Sequence, residues 1–79
     1  MFLVIDGRAF IPKERINAIL PVSLIQARRL KDVVAHHGKL INLTYGKHAR
    51  SVIIMDSGHV ILTHKSTEEL VKALWVEKD

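Results

Sequence analysis

Val52, Ile53 and Ile54 are apolar at consecutive positions within the run Ser51–Met55. Successive side chains of a β-strand point to opposite faces, so a strand without polar positions needs a covering layer on each side. The run therefore reads as a central strand, with a helix on one face and another layer or a subunit on the other.

The flanking sequence supplies candidate layers. Phe2–Ile5 and Ala9–Ile11 read as short strands joined by the turn signal Asp6-Gly7, and Arg15–Leu20 alternates polar and apolar between Pro12 and Pro21. Ser23 and Gln26 have the spacing of a capping box, and Ile25, Ala27, Leu30, Val33 and Val34 recur at helical intervals until Gly38. Strands at 39–44, 51–55 and 59–63, joined by turns at 45–50 and Asp56-Ser57-Gly58, read as a three-stranded meander. Ser66 and Glu69 form a second capping box, opening a helix that carries Leu70, Val71, Leu74 and Trp75. The expectation is one α+β domain over residues 1–79, with two helices on a small antiparallel sheet.

An apolar fraction of 48% and a mean hydropathy of +0.15 are high for a chain of 79 residues, because small domains bury proportionally less of their surface. Self-association into a closed symmetric oligomer is the common way to cover the excess. The absence of cysteine excludes disulfides and thiolate metal sites and fits a reducing compartment. The first residues lack a basic stretch and their apolar run is short, which points away from a leader or membrane span and toward the cytoplasm.

The formal charge of +4 favours an anionic partner. Lys47, His48 and Arg50 follow Tyr45-Gly46 in a turn where Gly46 already meets the backbone requirement, so the cations have no structural task there. A projecting turn suits phosphate contacts, and arginine can engage two phosphate oxygens at once. Arg8, Lys13 and Arg15 form a second cluster, which would join the first into one stripe if the sheet placed Arg15 beside residues 47–50. Arg28, Arg29 and Lys31 read as the solvated face of the first helix.

Other chemistries fit poorly. His36 and His37 are adjacent, not three or four apart, and no His-Glu-x-x-His pattern occurs, so no metal site is expected. Asp56-Ser57-Gly58-His59 holds the residue types of a hydrolase triad, but neighbours in one tight turn cannot align nucleophile, base and orienter. No glycine-rich phosphate loop is present, and neither an enzyme nor a cofactor is expected. Tyr45 reads as packing under the basic turn, and Trp75 as a core or interface anchor.

The order Leu40-Ile-Asn-x-Thr-Tyr-Gly46, basic residues to Arg50, then Val-Ile-Ile-Met-Asp-Ser-x-His-Val-Ile-Leu62 resembles the RemA-like bacterial regulators, the extracellular matrix regulatory proteins. The likeness runs from Arg15 through Leu74 and is most specific from Tyr45 to Leu62. It implies a ring of seven or eight subunits that bends or wraps promoter DNA around its rim and acts on transcription of matrix and osmoprotection genes. It also implies DNA contacts at Arg15 and at the pair after Tyr-Gly, here Lys47 and His48 where the family has two arginines. Lysine lacks the bidentate fork and imidazole is charged only when protonated, so weaker binding per subunit is expected, rising with acidity as His48 gains its proton. Together these readings give a double-stranded DNA-binding regulator using Arg15, Lys47, His48 and Arg50, with Arg8 and Lys13 adjoining. The competing reading is an oligomeric module whose cations face an acidic protein.

Overall fold

The computed structural model describes residues 1–75, apart from the side chains of Ile25 and Trp75. The roles that the sequence suggests for those two side chains lie outside the described residues. Strands β1 (Phe2–Ile5) and β2 (Ala9–Pro12) form an antiparallel hairpin, and a short 3-10 turn, Lys13–Arg15, leads to β3 (Ile16–Pro21). Helix α1 (Ile25–His36), strands β4 (Leu40–Leu43), β5 (Ser51–Met55) and β6 (Val60–Thr63), and helix α2 (Thr67–Trp75) follow.

Strands β3, β5, β6 and β4 lie in that order in one sheet. Val52 and Ile53 are both 0% exposed, and they point into different cores. Ile53 and Ile61 pack with Leu3, Ile5 and Ile11 of the hairpin and Leu70 of α2, while Val52, Val60 and Leu62 pack with Ala27 and Val34 of α1. The uninterrupted apolar run is thus explained by three layers: hairpin and α2, sheet, α1. Burying one such side chain contributes about 1.5–3 kcal/mol.

The expected meander does not form. β4 lies at the sheet edge, parallel to β6 with Leu40 opposite Val60 and Leu43 opposite Thr63, and β6 separates it from β5. The sheet is consequently mixed. All four residues of β6 are buried, whereas the two middle residues of β4 are exposed, so the more deeply buried strand takes the position paired on both sides.

The helix ends show which local signals carry weight. Ser23 does not cap α1; Leu24 holds the N-cap position without any side-chain hydrogen bond. Ala27, Leu30 and Val34 face the sheet, and Val33 is exposed instead of joining that row. Gly38 ends α1 as expected, at φ +72°: its N–H donates to Ala35 and that of Lys39 to Val34, the two bonds of a Schellman cap. His37 Nδ1 also donates to the Val33 carbonyl, 2.9 Å away. The capping box of α2 is complete, with the Ser66 N–H donating to Glu69 Oε1 at 2.8 Å and the Glu69 N–H to Ser66 Oγ at 3.1 Å.

Candidate nucleic-acid interface

The strand registers sort the cations into two groups. Thr63 lies opposite Ser51, Pro21 opposite Ser51, and Leu43 beside Thr63, so the exits of β3, β4 and β6 and the entry of β5 share one end of the sheet. Lys47, His48 and Arg50 occupy that end. Ile16 lies opposite Met55, which puts Arg15 at the other end. Arg50 and Asp56 bracket β5, a span of about 20 Å at roughly 3.3 Å per residue. Arg15 therefore does not sit beside residues 47–50 within one chain, and no continuous stripe forms there.

The sequence cluster Arg8, Lys13, Arg15 is also divided, because β2 runs from one end to the other between Arg8 and Lys13. Arg8 joins the first end, its guanidinium lying 4.7 Å from the centre of the Tyr45 ring. Lys13 instead reaches the C-terminus of α2, where Nζ donates to the Leu74 carbonyl at 3.3 Å. A cation there complements the helix dipole. Arg15 contacts the β5–β6 turn, with Nη1 3.4 Å from Asp56 Oδ2 and both groups largely exposed. Asp56 thus faces Arg15, while Ser57 Oγ and His59 Nδ1 lie 2.8 Å apart within the turn.

The backbone at the Tyr45 end is tightly determined. Tyr45 and Gly46 have φ of +52° and +82°, and the Lys47 N–H closes the turn on the Thr44 carbonyl at 3.0 Å. Thr44 is buried, and both its N–H and its hydroxyl donate to Asn42 Oδ1. Beyond the turn Ala49 packs into the α1 core. Arg50 is held on both sides, its N–H donating to Thr63 at 2.8 Å and its carbonyl accepting from Val22 at 3.0 Å. The chain is therefore rigid where it presents three exposed basic side chains. Tyr45 packs partly into the hairpin core, as its position under the basic turn suggests.

Three groups that the sequence did not place at the site, Asp6, His64 and Lys65, complete this end. Asp6, at the hairpin tip with φ +54°, accepts a hydrogen bond from His64 Nε2 at 2.6 Å and lies 3.6 Å from Lys65 Nζ. An ionised carboxylate only accepts, so Nε2 of His64 carries the proton. The His64 hydrogen bond, assisted by the positive charges of His64, Lys65 and Lys47, holds the Asp6 carboxyl below its ordinary value. The Glu69 carboxyl is likewise lowered, chiefly by the Ser66 N–H, with smaller help from Lys65 and Arg50. Asp6 and His64 are 58 residues apart, and no local pattern marks such a pair.

Among the described residues no helix is long and apolar enough to cross a membrane, and no group of three His, Asp or Glu side chains is placed to hold a metal.

The family model for extracellular matrix regulatory protein A-like sequences matches residues 2–74. The chain belongs to the RemA-like family. Bacterial relatives, each named "Putative regulatory protein", include one from Kosmotoga olearia, 44% identical over 63% of this chain and 50% of its own length. One from Pseudothermotoga lettingae is 37% identical over 75% of this chain and 65% of its own length. One from Desulfotalea psychrophila is 32% identical over 76% and 54%. The matched region thus spans about half to two thirds of these relatives, and the regulatory designation belongs to them as whole proteins.

Proposed function

We propose that this RemA-like chain is a transcriptional regulator that binds double-stranded DNA as a closed homo-oligomer, with the Tyr45 end of each subunit meeting the phosphate backbone. The observation that carries this reading is the convergence of Arg8, Lys47, His48 and Arg50 on one end, around a turn whose backbone is fixed. A backbone already held in place confines the ordering cost of phosphate binding to the side chains. Arg15, about 20 Å away along β5, meets a second backbone segment, a span that straddles a groove of B-DNA about 12 Å wide. Lys13 stands outside the proposed contact set because it serves the end of α2.

Few phosphate contacts per subunit bind weakly, and repetition around a ring of seven or eight subunits, the number implied by the family likeness, supplies avidity. The outer hairpin face provides apolar surface for assembly, with Phe2 56% and Phe10 63% exposed and their rings edge to face at 6.4 Å. Beside it an open apolar groove of about 380 Å³ runs between Phe10 and Pro12 on β2 and Ile41 and Leu43 on β4. Because phosphates carry little sequence information, selectivity resides in DNA shape and in arrays of sites.

The test is light scattering of the purified protein followed by a shift assay on a long A·T-rich duplex across a salt series. The expected result is a particle of several subunits whose shift weakens steeply with salt, and a Lys47→Ala/Arg50→Ala variant that keeps its size and loses the shift. Each phosphate contact removed lowers the log–log salt slope by about 0.9. A monomer that leaves DNA unshifted at low salt refutes the reading. The carboxylate of Asp6 held by His64 and Lys65 at this end favours one alternative, an oligomeric module docking an acidic protein through its cations. A pull-down that survives nuclease treatment selects it.

A further inference from the structure

Asp6 is the carboxylate that closes the hairpin tip against the proposed phosphate-binding end, and its surroundings are those of a bound anion. One oxygen takes the His64 Nε2 hydrogen bond and the other faces Lys65 Nζ, while Arg8 projects from the same turn onto Tyr45. The hairpin tip, the β4–β5 connection and the segment after β6 each bring basic groups toward this point. A phosphodiester carries the same single negative charge and the same two terminal oxygens as a carboxylate. The basic cluster that holds Asp6 is therefore chemically suited to the group that DNA presents.

We propose that Asp6 is an internal competitor for phosphate, a brake that lowers the affinity of the Tyr45 end until a duplex displaces its carboxylate from His64 and Lys65. This inference rests on the DNA-binding reading above. The side chains of Asp6 and Lys65 are 28% and 34% exposed, so an incoming phosphate can reach both, whereas His64, at 11%, offers one edge of its ring. Displacement releases Lys65 and His64 to join Arg8, Lys47 and Arg50 on the backbone. A duplex gains from this exchange only when it brings several phosphates at once, so the brake disfavours small free anions and short single contacts relative to a continuous DNA backbone. It acts as a selectivity device at no cost to the cation count.

The substitution that isolates this role is Asp6→Asn. Asparagine tolerates the positive φ that aspartate adopts here and keeps one oxygen to accept from His64, so the turn is preserved while the charge is removed. Asp32→Asn is the control, since it makes the same change of net charge on α1, across the sheet from the hairpin. In fluorescence anisotropy titrations with a long A·T-rich duplex, Asp6→Asn is expected to bind about threefold tighter or more at low salt, with the gain shrinking as salt screens it. Its salt slope steepens relative to wild type, and Asp32→Asn stays within error of wild type. An Asp6→Asn protein that is folded at the assay temperature and binds no tighter than Asp32→Asn overturns the proposal, as does one that binds more weakly, which would make Asp6 a strut of the site. A wild-type protein that binds no duplex at all refutes the DNA-binding reading itself, a result distinct from either variant outcome.

Discussion

Val52 and Ile53 are neighbours in sequence, yet they belong to different cores, and this separation is measurable. Ile53→Val removes one buried methylene, about 0.8 kcal/mol of transfer free energy, plus a small cavity term for a total of about 1 kcal/mol. Val52→Ala removes two methyl groups and is expected to cost about 2 kcal/mol. Both residues are fully buried, so these are not diluted by solvent exposure. Ile53 loses contact with the hairpin and α2, Val52 with α1, and among the described residues the two clusters share no side chain. The double variant should therefore cost about 3 kcal/mol, additive to within about 0.5 kcal/mol. That is a large share of the roughly 4–12 kcal/mol expected for a domain this size. The assay is urea denaturation at one fixed protomer concentration, since assembly would otherwise shift the midpoints. Hydrogen exchange adds direction: Ile53→Val should loosen the hairpin first, Val52→Ala the first helix. A coupling energy above about 1 kcal/mol would refute the three-layer account, because it would mean that both residues respond to a single core.

Two further outcomes follow from the second helix and the carboxylates. Ser66→Ala removes half of the capping box of α2 and should lower stability by about 1 kcal/mol, or about 4–8 °C in a thermal melt of a domain this size; an unchanged melt would show the cap replaced by water. The carboxyls of Asp6 and Glu69 sit below their ordinary values of 3.8 and 4.5, so their contribution to stability is complete above those values and is lost as the pH falls through the lower folded ones. Melts between pH 5 and 3 should drop for wild type and drop less for Asp6→Asn/Glu69→Gln, whereas equal slopes would remove these two groups from the acid response.

What could be read from the sequence was what local chemistry decides. Asp6-Gly7 specifies the first hairpin, Gly38 the end of α1 and Ser66 with Glu69 the start of α2, and each depends on backbone groups within a few residues. The partner of β4 depends on competition among distant strands. Tyr45-Gly46 looks like a hairpin turn and has the left-handed backbone of one, but the strand it would pair with is claimed by β3 and β6. Ser23 has cap chemistry and does not cap, since α1 is held by Ala27 and Val34 against the sheet and Leu24 takes the boundary. The candidate site shows the same division. Lys47, His48 and Arg50 lie close in sequence and share an end, while Arg8 and Lys13, also close in sequence, are driven apart by the extended backbone of β2. Asp6, His64 and Lys65 meet only through the fold.

Among the described residues, the two other than glycine with positive φ, Asp6 and Tyr45, lie in turns that touch each other through Arg8 and His64. A bulky residue in the left-handed region costs about 1–2 kcal/mol, which glycine at position 45 would avoid. The Tyr45 ring offsets this by packing into the hairpin core and by holding the Arg8 guanidinium against its face, a contact of about 0.5–1 kcal/mol where exposed. Its distinct effect is geometric. The ring ties the hairpin tip to the β4–β5 connection, so Arg8 and Lys47, from segments nearly forty positions apart, are presented together with the Asp6 carboxylate between His64 and Lys65. Strained backbone concentrates where a structure must hold groups in one arrangement. In this chain it lies at the end where cations and their internal counter-charge are set against each other.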